Sequence, residues 1–123
     1  MRTAIPSTPA SPPAEILSGK LAADMTFPQK VWTLTARIPA GRVATYREIA
    51  LALNTRAYRA VGQALHNNPY APAVPCHRVV GSDGRLTGYA GGLAKKARLL
   101  TTEGVPCSNS KVVDLATHLH HFA

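Results

Sequence analysis

The residues best equipped for chemistry in this chain are Cys76 and His77, adjacent in the stretch Val74-Pro75-Cys76-His77-Arg78-Val79-Val80-Gly81. A thiolate is a strong nucleophile, but an ordinary cysteine is mostly protonated near neutrality and needs a base to reach that state. Pro75 favours an extended Val74, and on an extended segment neighbouring side chains point to opposite faces. A direct thiol–imidazole hydrogen bond is then strained, so a water or a local twist has to bridge the two. The other imidazole nitrogen needs an acceptor, which Glu103 can supply. Glu103 falls in the last turn of an expected helix, where the negative end of the macrodipole disfavours a carboxylate by roughly 0.3–1 kcal/mol. Helix stability does not ask for it there. One reading is a Cys76–water–His77–Glu103 relay; the other is a buried thiol beside a surface histidine, with a carboxylate placed by chance.

Several helices must position these groups. Thr26-Phe27-Pro28-Gln29 is a capping box with proline in the first turn. Phe27, Val31, Leu34 and Ile38 follow at helical spacing, and Pro39-Ala40-Gly41 ends that helix. Thr45-Tyr46-Arg47-Glu48 is a second box, opening a short helix that carries Ile49 and Leu53 and closes at a left-handed Asn54. A third helix is expected from Thr55 or Arg56 to about His66. Its apolar side is Ala57, Ala60, Val61, Ala64 and Leu65; its polar stripe is Arg56, Arg59, Gln63 and Asn67.

Two short helices, a tight turn and a basic stripe on the second fit a helix-turn-helix, whose second helix enters a DNA groove. Gly62 costs about 1 kcal/mol relative to alanine inside a helix, which is easier to explain if a sugar-phosphate chain approaches that backbone closely. Asn67-Asn68-Pro69 breaks the helix and leads to the cysteine segment. Ser82-Asp83-Gly84 is a turn, Gly91-Gly92 opens a last helix from Leu93 to Glu103, and Gly104 caps it. A short strand is expected over Lys111 to Leu115. The expected fold is mainly α with a small β element, a winged-helix-like helix-turn-helix domain.

With 123 residues, 46% of them hydrophobic, the chain can build one domain with a modest core. Fourteen Lys and Arg against 6 Asp and Glu leave a net charge of +8, which points to nucleic acid or another anionic partner. No apolar run approaches the length of a membrane span, so no membrane partner is expected. Two cysteines cannot make a disulfide framework or a four-thiolate metal site, and Cys107 reads as a bystander. His118, His120 and His121 read as a solvated tail, because no cysteine or carboxylate cluster accompanies them; no metal and no cofactor are expected. Residues 1–25 read as a flexible Pro/Ser/Ala-rich tail without a secretory core, 26–107 as the functional domain, and 108–123 as a C-terminal extension.

Pro75-Cys76-His77-Arg78-Val79, with Tyr46, Arg59-Ala60-Val61-Gly62, Asn68-Pro69, Gly88-Tyr89, Leu99-Leu100 and Glu103-Gly104, resembles the O6-alkylguanine-DNA alkyltransferases. These are single-turnover repair proteins that take an alkyl group from guanine onto a cysteine. The resemblance spans roughly Phe27 to Pro106. It implies that Cys76 is the alkyl acceptor, activated through His77, a water and Glu103. Asn68 would brace the turn behind the cysteine, and Tyr89 would donate to guanine O6. Tyr46 would assist the flipped nucleotide, and Arg59 would fill the gap it leaves. Arg56, Ala60, Gly62 and Gln63 would belong to the DNA-facing surface, while the backbone carbonyls of Val79 and Cys76 would take the guanine amino group.

The implied partner is double-stranded DNA containing O6-alkylguanine, bound by a monomer in the nucleus or cytoplasm, with an organelle also open. Repair enzymes of this family commonly carry a separate N-terminal domain, where this chain has a short segment before Thr26. In that respect it resembles the alkyltransferase-like proteins, which bind alkylated DNA, have lost the cysteine, and hand the lesion to nucleotide excision repair proteins. Two further departures are a bulky Tyr58 and an Ala90 without a side-chain donor. A third class, a sequence-reading helix-turn-helix regulator, explains the charge and Arg59 but not the set Tyr46, Asn68, Tyr89 and Glu103.

Overall fold

The structure, a computed structural model, describes residues 13–71, 73–89 and 92–122. Six helices are present among them: α1 (Ala14–Leu17), α2 (Phe27–Ala36), α3 (Tyr46–Ala52), α4 (Tyr58–His66), α5 (Leu93–Thr102) and α6 (Leu115–His118). Two two-residue strands, β1 (Ala44–Thr45) and β2 (Val79–Val80), pair in parallel, and β3 (Cys107–Ser108) and β4 (Lys111–Val112) form an antiparallel hairpin. This is the expected mainly helical domain, with α3 and α4 as the helix-turn-helix and no described helix long and apolar enough to cross a membrane.

The capping chemistry starts α2 and α3 where the sequence placed them, α2 through the full box and α3 through the forward bond alone. Thr26 Oγ1 accepts from Gln29 N at 3.3 Å while Gln29 Oε1 accepts from Thr26 N at 2.8 Å. Thr45 Oγ1 accepts from Glu48 N at 3.0 Å and starts α3 directly after β1. Asn54 ends α3 in the left-handed region, with φ 59°. Trp32 of α2 donates through Nε1 to Ala64 O at 2.8 Å and meets the Tyr70 ring edge-on at 5.5 Å. That one indole thereby ties α2 to α4 and to the loop beyond it.

The β1–β2 ladder separates two cores. Its register sets Ala44 against Val79 and Thr45 against Val80. Because a strand sends successive side chains to opposite faces, Ala44 and Val79 join Val31, Leu34, Ile38, Ile49, Val61 and Leu65 beneath the helix-turn-helix. Val43 and Val80 join Leu86, Leu100, Val105 and Val112 beneath α5 and the hairpin. The segment entering β2 therefore lies at the seam between the two cores, and it is the segment that carries Cys76.

Five expectations differ from the structure. Cys76–Arg78 is a 3-10 turn, not an extended run: Pro75, with ψ 69°, lets Cys76 N bond Val74 O and Arg78 N bond Pro75 O, both at 2.9 Å. Helix α4 begins at Tyr58, so Arg56 belongs to the preceding turn, where Thr55 Oγ1 accepts from Ala57 N at 3.2 Å. Part of the expected N-terminal tail is docked, since Ile16 of α1 is buried and Arg37 Nε donates to Gly19 O at 2.5 Å; residues 1–12 lie outside the described residues. The expected solvated C-terminal tail is likewise held, because Val43 N bonds His118 O at 2.9 Å and His120 N bonds Val43 O at 2.7 Å. The strand expected over Lys111 to Leu115 stops at Val112, because Asp114 turns left-handed (φ 56°) into α6.

Candidate active site

The 3-10 turn resolves the difficulty of two adjacent reactive side chains, since successive residues on it are not on opposite faces. Its place is fixed from both sides. Downstream, Val79 and Val80 are locked into β2. Upstream, Asn68 spans the loop, its Nδ2 donating to Val74 O and its Oδ1 accepting from Tyr70 N, both at 2.9 Å. The short side chain thus sets the distance between the end of α4 and the cysteine.

His77 is almost wholly buried, and its Nε2 lies 3.1 Å from Glu103 Oε2. A carboxylate can only accept, so Nε2 carries the proton and Nδ1 is the basic nitrogen. Nδ1 is buried and has no hydrogen-bond partner in the protein among the described residues. Burial pushes the His77 pKa below its ordinary value, against the pull of Glu103, so the ring is a neutral base near pH 7.

Glu103 caps α5, and its unfavourable place at the negative helix end is offset by Arg78. That guanidinium forks onto the carboxylate, Nε 2.9 Å from Oε1 and Nη2 2.6 Å from Oε2, while Nη1 donates to Ile38 O at 2.7 Å. Burial alone would raise the Glu103 pKa, but the bonds from Arg78 and His77 outweigh it and hold the carboxyl ionised below its usual range.

Cys76 is half-buried, and burial pushes its thiol above the ordinary value, with the Asn68 amide and the Lys96 ammonium pulling the other way. The resting group is a thiol, which is the state a base must act on. Lys96 is fully buried, and Nζ donates to Thr87 O at 2.7 Å. Burial lowers its pKa to about 8, partly opposed by Cys76 and Cys107. Thr87 also meets Tyr46: its Oγ1 donates to the phenol oxygen at 3.1 Å, and the phenol donates to Thr87 O at 3.3 Å. Tyr89 lies beside His77, ring centroids 6.5 Å apart in an edge-on arrangement.

Cys76, His77, Glu103, Asn68 and Tyr89 thus converge on one turn, with Tyr46 coupled to them through Thr87, and Val79 follows directly in β2. Arg59, Ala60 and Gln63 lie together on the exposed side of α4, and Arg56 is exposed in the turn before it. Gly62 looks at the Tyr46 ring: a Cβ there would sit 4.0 Å from Cε1, an ordinary contact, so packing within the protein does not demand glycine. Ala90 and Gly91 lie outside the described residues.

Sequence reasoning passed over Arg78, Lys96 and Thr87. Arg78 was visible only as part of a motif, its carboxylate partner lying far along the chain. Lys96 carried a signal, since it stands four residues before Leu100 and so on the same buried helix face. Thr87 carried none.

Residues 26–105 match the sequence profile of the family described as "6-O-methylguanine DNA methyltransferase, DNA binding domain". A methylated-DNA–protein-cysteine methyltransferase of Methanosarcina barkeri is 54% identical over 86 residues, covering 68% of this chain and 54% of that protein. The Haemophilus influenzae protein of the same name is 44% identical over 81 residues, covering 65% and 45%. The chain spans about half the length of the curated relatives it matches. Among solved structures, Mycobacterium tuberculosis OGT in complex with DNA is similar at TM-score 0.63 and 47% identity, over 65% of this chain and 49% of that one. Schizosaccharomyces pombe ATL in complex with DNA is similar at TM-score 0.67 and 31% identity, over 76% and 94%.

Proposed function

Because this chain belongs to the 6-O-methylguanine DNA methyltransferase family through its DNA-binding domain, we propose that it repairs O6-alkylguanine by moving the alkyl group irreversibly onto Cys76. The observation that carries the reading is the polarity of His77. Its Nε2 faces an ionised Glu103 at 3.1 Å, which leaves the buried Nδ1 as the basic nitrogen, on the residue that follows the protonated Cys76 thiol. A water between Sγ and Nδ1 completes the relay.

An alkyl group on O6 is hidden inside the duplex, so the nucleotide must be flipped out, at a cost of a few kcal/mol that is smaller for a damaged pair. Arg59, exposed in the first turn of α4, fills the gap and meets phosphate charge in this reading. Arg56, Ala60, Gly62 and Gln63 border the same surface, and Tyr46 assists the extruded nucleotide. The carbonyls of Cys76 and Val79 take the guanine amino group.

In the transfer, the thiol proton passes through the water to His77 Nδ1, and the imidazolium is stabilised by Glu103. The sulfur pair forms an S–C bond as the C–O6 bond breaks, and the departing electrons settle on guanine O6, where Tyr89 donates. The guanine anion takes up a proton at N1 while His77 gives back the one it received, through solvent, so the products are normal guanine and a thioether at Cys76. The thioether is not reversed, so each molecule acts once and needs no cofactor. The protein would act as a monomer on nuclear or cytoplasmic DNA.

A second reading rests on the likeness to S. pombe ATL over nearly all of that chain: binding of the lesion without transfer, followed by nucleotide excision repair. Intact-protein mass spectrometry after mixing with a duplex holding one O6-methylguanine separates the two. A gain of one methyl that maps to Cys76 and vanishes in Cys76→Ser is the result expected for transfer. An unchanged mass with preferential binding of the lesion duplex would overturn it in favour of the sensor.

A further inference from the structure

We propose that Thr87 is a positioning residue for the transfer, holding the Tyr46 phenol at the place where the extruded nucleotide arrives. The inference rests on the alkyl-transfer reading and adds to it a residue that touches neither guanine nor the thiol. Thr87 engages Tyr46 twice, giving a hydrogen bond from Oγ1 at 3.1 Å and receiving one at its carbonyl at 3.3 Å. Both groups sit on one residue, so they fix the phenol in direction as well as in distance.

That grip is itself anchored. The same carbonyl accepts from Lys96 Nζ at 2.7 Å, and Lys96 is 1% exposed. An ammonium stays buried only where its charge is compensated, and among the described residues the Thr87 carbonyl is the acceptor Lys96 has. The buried cation on α5 therefore pins the backbone of Thr87, and Thr87 pins the phenol at the start of α3. Gly88, with φ 58°, follows Thr87, and a Cβ there would lie 3.9 Å from the Tyr46 hydroxyl. Tyr89 comes next, so one short run of backbone sets both phenols that the reaction uses.

A threonine that only fills space would be replaced by valine without consequence, because the two side chains have nearly the same shape. A positioning threonine would not. The test compares wild type with Thr87→Val, Thr87→Ala and Thr87→Ser in single-turnover methyl transfer from an O6-methylguanine duplex, followed by intact mass. Affinity for the lesion duplex is measured in parallel on a Cys76→Ser background. Loss of the hydroxyl in Val or Ala should slow transfer about three- to tenfold, with affinity little changed and Ser close to wild type.

A second readout is independent of transfer. Protein labelled with fluorotyrosine is titrated by fluorine NMR, the Tyr46 signal being assigned through Tyr46→Phe. The groups near this phenol are Thr87, the Cys76 thiol and the Lys96 ammonium, which bonds the same Thr87 carbonyl. The Thr87 hydroxyl stabilises the phenolate, so Thr87→Val should move the Tyr46 titration to higher pH and Thr87→Ser should leave it in place. Equal transfer rates in wild type and Thr87→Val, or an unmoved Tyr46 titration, would overturn the proposal. Wild type that transfers no methyl would instead overturn the alkyl-transfer reading, and the Tyr46 titration would still decide whether Thr87 holds the phenol.

Discussion

Arg78 and Glu103, 25 positions apart in the chain, are joined by a two-pronged ion pair at 2.9 and 2.6 Å. The same carboxylate oxygen that takes the shorter of these bonds also takes the His77 Nε2 proton at 3.1 Å. Arg78 therefore does two things: it neutralises an acid at the negative end of α5, and it aims that acid at the imidazole. Its third nitrogen holds Ile38 O at the end of α2, so the pair also joins the two halves of the domain across the ladder.

Replacing Arg78 with methionine should cost about 1.5–3 kcal/mol of stability, the range for hydrogen bonds to charged groups, read as a lower denaturant midpoint. Arg78→Lys should recover little of this, because an ammonium cannot fork across both carboxylate oxygens while reaching Ile38. Transfer should slow in both variants, since a freed Glu103 no longer fixes the Nε2–H tautomer of His77. A lysine variant as stable and as fast as wild type would show that charge alone suffices.

The pH dependence follows from His77 and Glu103. The folded-state pKa of His77 is depressed, chiefly by burial. A depressed group adds stability that is present above its unfolded pKa of about 6.5 and is lost as pH falls toward the folded value. Protonation also removes the base. Stability should therefore begin to fall once pH drops below about 6.5, whereas transfer should hold through the ordinary histidine range and fall only as pH nears the lower folded value of His77. Glu103, also depressed, extends the stability loss into the acid range where carboxylates titrate. Single-turnover rates alongside thermal melts across this range test the coupling. A rate that declines already at the ordinary histidine pKa would mean that His77 is solvated.

Much of this site was legible in the sequence for a physical reason. The capping box of α2, the capping threonine of α3, left-handed Asn54 and Gly104, and the pairing of an imidazole with a distant acid are local or chemical signals. What escaped was tertiary. Nothing near Pro75 announces that its ψ of 69° curls Cys76–Arg78 into a turn, which is why the extended reading put the two reactive side chains on opposite faces. Helix α4 starts later than its sequence suggests because the Thr55 hydroxyl accepts from Ala57 N and holds Arg56 in the preceding turn. The C-terminal histidines looked solvated because the backbone of Val43 that holds them is 75 or more residues away.

Gly62→Ala separates folding from DNA approach. Alanine in a helix interior is favoured over glycine by about 1 kcal/mol, and the added methyl would meet only the Tyr46 ring at 4.0 Å. The variant should therefore melt higher than wild type. Its affinity for the lesion duplex should fall if a sugar-phosphate chain packs against that backbone. Higher stability with undiminished binding would mean that the DNA does not approach α4 at Gly62.

In the proposed reaction Arg59 would serve the DNA in one of two ways, as a wedge in the base stack or as a phosphate contact, and the two leave different marks. A phosphate contact releases counterion, so its loss reduces the salt dependence of binding by about one charge's worth. A wedge acts through volume, and apolar side chains can take that role. Arg59→Ala should slow transfer markedly from the lesion duplex, because flipping then lacks compensation worth part of a few kcal/mol. Arg59→Leu keeps bulk without charge, and recovery of the transfer rate with a reduced salt slope would assign insertion to volume and binding to charge. If leucine is as slow as alanine and the salt slope is unchanged in both, the guanidinium itself acts inside the stack, stacking and hydrogen-bonding where the guanine has left.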